Sequence, residues 1–587
     1  MPVDVPTLID LLDGAARYPG VGIRFLDRHE QETWLGWPEI AARAAVVAGG
    51  LQAPGVAPGQ RVALVFPTTP EFLLAYFGTT LAGAVPVPLY PPARLGRLEE
   101  YHRRTAAMLR SAGARLVLAD GRVKRILGPS ILGARPELGC RRLDELPTAS
   151  HRPVAATPDD LGLVQFSSGT TAEPMPVALT HRALVAQVRI LNSLWPDQDT
   201  VEHSGVSWLP LYHDMGLIGC VLVALEHPGT LTLLSPLDFI ARPALWLRAI
   251  GRFRATISPA PSFAYALCTQ RIRDEEMEGV DLSSWRVAIN GAEAVVPEVV
   301  WAFSERFARW RFHPGAMTPA YGLAEAALAV TLCEIGRPIR SLRLDRAALA
   351  DGRAVPSAEG REIASVGRSL PGFEVVVVDG DRRPLPEGRV GRVLVRGPSL
   401  MRGYLDQPEA TTGVLRDGWL DTGDRGFSLD GELYLTGRDK DVLIVNGRNY
   451  APEEVERAVE SVPGTGEHCT VAVSVAADGA PSEEVLVLVE LGPDATDGDA
   501  AALPGRAEAA VLAATGLRLA GVVVLEPGTL PRTSSGKLRR QETLRQHRTG
   551  ELAAPRKVTT GLLAGAVVRS TLAYIDLTLR PRGGRDA

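Results

Sequence analysis

The feature that most limits the fold is a change of period along the chain. From the N-terminus to about residue 435, apolar runs of strand length alternate with helical patterns. RVALVFP (Arg61–Pro67) reads as a buried strand, and TPEFLLAYFGTTLAGA (Thr69–Ala84) as a helix with Pro70 and Glu71 in its first turn. AVPVPLYPP then reads as a strand and a turn. Such alternation predicts an α/β fold with mostly parallel strands. Between Ser365 and Leu435 the pattern becomes hairpin-like: FEVVVVDGDRRPLPEGRVGRVLVRG predicts antiparallel strands turning at Gly380-Asp381 and Glu387-Gly388. After Arg438 a smaller α+β unit is expected: strand, turn and a helix opening at Pro452, then a hairpin, a helix in EAAVLAATG, and a strand that runs into LPRTSSGKLRR. The reading divides the chain into a core (1–437), a small unit (438–550) and a tail (551–587) without an assigned role.

Composition removes several functional classes. A net charge of −5 gives no support for a nucleic-acid binder. The cysteines (Cys140, Cys220, Cys268, Cys333, Cys469) are far apart, with no CxxC pair, as in a reducing compartment without a structural zinc. The N-terminus carries acids where a secretory signal carries bases, and no run of about 18 uncharged apolar residues appears. A cytoplasmic, monomeric protein with no transmembrane segment is expected.

Four stretches carry candidate chemistry. VQFSSGTTAEPMPVALT places Ser167, Ser168, Gly169, Thr170 and Thr171 after a strand-like run, where small residues leave N–H groups and hydroxyls free for an anion. A Ser/Thr-rich turn is the plainer alternative, and the Walker pattern is absent. SWLPLYHDMGLIG sets Trp208, Tyr212 and His213 beside Gly216 and Gly219, with packing as the competing reading. INGAEAV and TPAYGLAEAALAV each bring a short strand to a glycine and an acid, Glu293 and Glu325. A tyrosine next to Gly322 with a glutamate beyond can offer a ring to a base and a carboxylate to Mg²⁺, or be an ordinary turn. In DTGDRGFSLDGELYLTGRDKD, Asp424 and Arg438 flank a hairpin; a carboxylate there can accept both hydroxyls of a ribose, although Asp-Gly turns alone supply such acids.

Lysine usage adds a further pointer. Of 63 basic residues only Lys124, Lys440, Lys537 and Lys557 are lysine. An Ala/Arg/Gly bias explains the arginines without any function, so the surviving lysines are informative. Lys537 lies in a Ser/Gly-rich loop, SSGK.

Each stretch is moderately specific, and their order is highly specific. SSGTT, YGLAE, DTGD, GRDKD and SSGK stand in the order of the ANL superfamily of adenylate-forming enzymes, which residues 1 to about 545 resemble. The resemblance implies ATP and Mg²⁺. Ser167 to Thr171 would cradle phosphates, and Tyr321 with Gly322 would meet adenine. Gly291, Ala292 and Glu293 would line the purine site, and Glu325 would hold Mg²⁺. Asp424 and Arg438 would bind the ribose, His213 would stand near the substrate carboxylate, and Lys440 would be the hinge of a mobile C-terminal domain. Lys537 would contact the carboxylate and α-phosphate, a task for a point charge on a flexible stem more than for a wide fork.

Two departures narrow the resemblance. The phosphate loop reads Ala172-Glu173-Pro174-Met175-Pro176 and lacks the lysine usual in acyl-CoA synthetases. The segment Thr331–Ala364 intervenes where many relatives have a short connector. Together with LPLYHDMGLIG and NGRNYAPEEVE, these features resemble fatty acyl-AMP ligases, whose extra segment is thought to limit domain motion. The implied activity is conversion of a medium- or long-chain fatty acid to acyl-adenylate and transfer to a separate acyl carrier protein. An acyl-CoA synthetase is the alternative.

Overall fold

The computed structural model describes residues 5–92, 95–167, 174–196, 202–445, 448–476, 483–492, 495–533, 536–556 and 558–579. Its centre is a nine-stranded sheet. The strands Met317–Gly322, Val287–Asn290, Ile257–Ala260, Ser204–Ser207, Thr230–Leu234 and Gly22–Leu26 run parallel in that spatial order. Antiparallel strands close both edges: Ala329–Leu332 with Arg368–Ser369 on one side, Glu32–Gly36 on the other. A second, all-parallel sheet is ordered Val85–Leu89, Arg61–Val65, Leu116–Ala119, Cys140–Arg141. Pro86 and Pro88 are tolerated because their strand is at this sheet's edge. Continuous burial of Val62 to Val65 follows from helices covering both faces.

The predicted helix over Thr69–Ala84 forms as Pro70–Leu81, with proline at its start and Glu71 in the positively polarised first turn. Strands Glu374–Val378, Gly391–Arg396, Trp419–Leu429 and Glu432–Arg438 make the predicted antiparallel region. Beyond it, Thr465–Ala476, Glu483–Leu491 and Leu519–Leu525 form a separate three-stranded sheet backed by the helices Pro452–Glu460 and Asp497–Thr515. The latter helix begins well before EAAVLAATG. Thr496 and Asp499 form a capping box there, so the helix starts at Asp497 and runs through Pro504.

The segment Thr331–Ala364 is folded. It contributes the hairpin Ser341–Leu344 with Arg361–Ala364 and the short helix Arg346–Ala350. Leu344 and Ile363 pack on Phe427 and Tyr434 of the antiparallel region. The tail also forms a helix, Thr560–Leu579, laid against the helix Gly121–Ala134 of the first part of the chain. Among the described residues no helix is long and apolar enough to cross a membrane.

Candidate active site

At the carboxyl ends of the parallel strands several of the predicted residues come together. The crossing from strand Ile257–Ala260 leads into the helix Ser262–Arg271, whose Phe263 N–H donates to Glu293 Oε1 at 2.7 Å. Glu293 therefore caps a helix start and fixes its own loop to the neighbouring one. Ala292, just before it, has φ 68°, a left-handed backbone that non-glycine residues rarely adopt and that marks sites held by their surroundings. Gly291 lies buried against Ala320, one position before Tyr321.

Tyr321 and Gly322 end the strand Met317–Gly322. A side chain at Gly322 would place its Cβ 1.8 Å from Leu328 O, so only glycine fits the turn that brings Glu325 round. The Tyr321 hydroxyl donates to Asp424 Oδ2 at 2.6 Å, and Arg438 Nε donates to Asp424 Oδ1 at 3.1 Å. Asp424 and Arg438 are register partners across a hairpin, which explains why a spacing of fourteen positions brings them together.

Glu325 Oε1 accepts from Tyr404 Oη at 2.9 Å. Burial pushes its carboxyl above the ordinary range, and the Tyr404 hydroxyl and Arg438 only partly offset this. A carboxyl whose ionisation is made more costly by burial suits a cation, whose charge would favour the ionised form. Among the described residues no group of three His, Cys, Asp or Glu side chains could hold a metal. A magnesium ion here would take Glu325 plus phosphate and water oxygens, which is how Mg²⁺ is usually held.

His213 caps the short helix Asp214–Gly216, which continues as a π-helical turn, Leu217–Leu222. Such turns are frequent at functional sites. His213 Nδ1 lies 2.6 Å from Asp214 Oδ1, while Nε2 is buried without a hydrogen-bond partner among the described residues. Burial opposes ionisation of Asp214, but His213, the Met215 N–H and Lys537 hold its carboxyl below the usual range.

Lys537 comes from the other end of the chain into the same space. Burial and the Arg438 guanidinium push its ammonium below the ordinary lysine value, against the pull of Glu293, Asp214 and Asp424. Thr533 and Lys537 are paired: Thr533 N–H donates to Lys537 O at 2.7 Å, and Lys537 N–H to Thr533 Oγ1 at 3.0 Å.

Of the predicted phosphate cradle, Ser167 is fixed at the base, where its N–H donates to Met175 O at 2.9 Å and its Oγ accepts from Met175 N–H at 3.1 Å. Ser168, Gly169, Thr170 and Thr171 lie outside the described residues. Lys440 is exposed, two positions beyond Arg438, and its carbonyl accepts from Gln541 Nε2 at 3.2 Å. Sequence reasoning missed two members, Asp214 and Tyr404. The acid next to His213 was a visible signal; Tyr404, 79 positions from Glu325, left none.

Residues 13–405 match the family described as AMP-binding enzyme. A Caulobacter vibrioides protein named as a putative acyl-CoA synthetase is 38% identical over 92% of this chain and 95% of its own length. A Moorena producens protein named as the medium-chain-fatty-acid–[acyl-carrier-protein] ligase JamA is 34% identical over 91% of this chain and 94% of its own. A solved structure from a study of fatty acyl-adenylate ligases of E. coli and L. pneumophila superposes with a TM-score of 0.87 at 33% identity, covering 93% of this chain and 98% of that one. With the site's carboxylates, its Tyr321–Asp424–Arg438 triplet and its late lysine gathered at the strand ends, this chain belongs to the AMP-binding enzyme family.

Proposed function

We propose that this chain activates a medium- or long-chain fatty acid with ATP, giving an acyl-adenylate and pyrophosphate, and passes the acyl group to the phosphopantetheine thiol of an acyl carrier protein. The observation that carries the reading is the arrival of Lys537 among Asp214, Glu293, Asp424 and Arg438. A lysine from a distant loop, brought beside three acids and the Arg438 guanidinium at the ends of parallel strands, suits a reaction in which negative charge gathers on phosphorus-bound oxygens.

In this reading the carboxylate oxygen attacks the α-phosphorus, and the bond to the oxygen bridging to pyrophosphate breaks. No general base is required, since the acid is already ionised at neutral pH. Lys537 contacts the carboxylate and the α-phosphate. His213 Nε2, oriented through the Asp214 contact on Nδ1, faces the carboxylate. Asp424 and Arg438 take the ribose, Tyr321 and Gly322 the adenine, and Gly291, Ala292 and Glu293 line the purine edge. Ser167 to Thr171 surround the phosphates. Mg²⁺ held by Glu325 would supply charge neutralisation on the phosphates. In the second step the carrier's thiol attacks the acyl carbonyl and AMP leaves.

A cavity of about 440 Å³ lies between the strands Ser204–Ser207, Thr230–Leu234 and Ile257–Ala260 and the helical run that starts at His213, lined in part by Gly205, Val206, Gly219, Val223 and Leu231. The apolar part of this lining, on the elements that carry His213, suits an acyl chain, while Glu202, His203 and His227 make the rest of the wall polar. The segment Thr331–Ala364 is read as a brake on rotation of the C-terminal unit about Lys440, supported by the Arg346–Glu454 ion pair at 3.3 Å that joins it to that unit. The name of the Caulobacter relative keeps an acyl-CoA synthetase as the second reading. Mass spectrometry of products from ATP, a panel of fatty acids, and either CoA or a pantetheinylated carrier separates the two. Accumulation of acyl-adenylate and acyl-carrier without acyl-CoA is expected; fast CoA thioester formation overturns the carrier reading.

A further inference from the structure

The residues after Lys537 tie the C-terminal unit to the N-terminal part of the chain at a second place, besides the chain connection at Lys440. Leu552 packs into a core of the C-terminal unit with Val471, Leu530 and Leu544. One residue later the chain meets Arg97, which begins the helix Leu98–Ser111 of the first part. Arg97 Nη2 donates to three carbonyls: Gly528 at 2.9 Å, Thr529 at 2.7 Å and Ala553 at 3.0 Å. Arg556 N–H then donates to Gly96 O at 3.3 Å, and a Cβ at Gly96 would come within 2.4 Å of Arg556 O. Beyond this the tail helix Thr560–Leu579 docks through its small-residue face, with Ala566, Ser570 and Ala573 buried. Gly128 N–H donates to Ser570 Oγ at 2.8 Å, and Tyr574 Oη donates to Lys124 O at 3.2 Å. A Cβ at Gly128 would lie 2.3 Å from Ser570 O, so the two helices approach as closely as glycine permits.

We propose that this strap, with the docked tail helix as its anchor, is a tether that holds the C-terminal unit in the adenylating pose, and that Arg97 is a positioning residue for Lys537. The inference rests on the reading of Lys537 as the adenylating lysine. Four residue steps from Leu552 to Arg556 reach at most about 14 Å. A body pinned near Lys440 and again at the strap keeps a single axis of rotation, the line through the two pins, unless the tail helix lifts off. Arg97 acts on the lysine itself because Gly528 and Thr529 are the base from which the SSGK loop projects. The described residues on either side of its tip are joined by the Thr533–Lys537 bonds and by Arg539 N–H on Pro531 O at 3.0 Å. The free energy of docking the tail is thereby coupled to the position of a catalytic side chain.

The test uses the full chain. One variant combines Arg97→Ala with a flexible Gly/Ser insertion between Ala554 and Pro555, which slackens the strap while leaving the tail helix docked. A second deletes residues 558–587. Amide hydrogen exchange and the pyrophosphate-exchange rate are measured on both, with transfer from preformed acyl-adenylate alongside. The slack variant is expected to show faster exchange across residues 438–445 and 530–539, a several-fold slower pyrophosphate exchange, and undiminished transfer to the carrier. Unchanged amide exchange in those segments overturns the tether whatever the catalysed reaction proves to be. If deletion lowers the melting temperature while the slack variant keeps wild-type rates, the tail helix only covers the helix Gly121–Ala134, and the proposal fails. Should the wild type exchange no pyrophosphate with any fatty acid, the functional reading fails alone, and the amide-exchange comparison still decides the tether.

Discussion

Tyr321 and Asp424, 103 positions apart, are joined by a 2.6 Å hydrogen bond that ties the end of a parallel strand to the antiparallel region. Asp424 is buried, and its second oxygen holds Arg438. Replacing it with alanine takes the carboxylate acceptor from the buried tyrosine hydroxyl and leaves it only Thr422, a loss of about 1 kcal/mol. A ribose contact is made equally in ground and transition states, so Asp424→Ala should also raise KM for ATP far more than it lowers kcat. Asp424→Asn keeps an acceptor and should retain most of the stability while still raising KM. Steady-state kinetics and thermal melting of the two variants check this; a collapse of kcat at constant KM would remove Asp424 from the ribose.

Lys537→Ala should lower acyl-adenylate formation on the order of 10²–10³-fold, the scale of one charge contact made mainly in the transition state. Burial and Arg438 already disfavour the Lys537 ammonium, so its loss relieves a desolvation cost and a repulsion that offset the lost attractions to Glu293, Asp214 and Asp424, and the fold and ATP binding should be largely kept. Lys537→Arg should be poor as well, since a wide fork beside Arg438 does not reproduce a point contact. Pyrophosphate exchange and nucleotide binding, measured together, give the outcome; an alanine variant with near wild-type exchange would falsify the assignment.

Glu325 yields a prediction about pH. Its folded carboxyl is raised by burial, so the native state holds the proton more tightly than the unfolded chain does. The contribution to stability is present at acid pH and is lost as pH rises through the folded value. Glu325→Gln removes the cost of a buried charge. At pH 8 without nucleotide the variant should melt higher than the wild type, and the gap should close as the pH falls through the carboxylate range. Its Mg²⁺-dependent adenylation should drop on the order of 10²-fold or more. Paired melting curves at several pH values are sufficient; a variant less stable than wild type at pH 8 contradicts the assignment.

How much of this was legible in the sequence depended on distance along the chain. The runs at Arg61–Val65 and Val85–Leu89 and the proline-started helix Pro70–Leu81 follow from period and capping, which act over a few residues. The site came from five short motifs in order, each a local turn with its own chemistry. Tyr404 could not be read that way, because nothing at positions 403–405 refers to Glu325. The apolar tail, 558–580, read equally as a docking helix, an interfacial helix or a disordered end, since its docking depends on a glycine, Gly128, whose need for close approach appears once Ser570 stands opposite. Asp214 stood in plain view beside His213 and lacked only the geometry that makes it a partner.

The segment Thr331–Ala364 gives the last prediction. Its apolar set is spent on packing: Leu332 and Ile335 against the strand-edge core, Leu342, Leu344 and Leu349 against Phe427 and Tyr434. It is therefore fixed to the N-terminal part, and the ion pair of Arg346 with Glu454 reaches from it to the helix Pro452–Glu460. Arg346 is about half exposed, so the pair itself is worth at most about 1 kcal/mol and does not lock the units alone. In the proposed reading the brake is therefore steric and lies in the folded hairpin and helix more than in the ion pair. Arg346→Ala should then leave the product distribution almost unchanged. Excising residues 346–358, between the two hairpin strands, should keep adenylation within a few-fold of wild type and allow a CoA thioester to appear. Removing the loop while keeping Leu344 and Ile363 preserves their contact with Phe427 and Tyr434, so a soluble, folded variant is expected. Chromatography of reactions with CoA compares the three proteins. If the intact chain already makes acyl-CoA as fast as acyl-adenylate, the brake does not exist; if the excised variant makes none while still adenylating, rotation is limited elsewhere, and the strap at Arg97 is the remaining restraint.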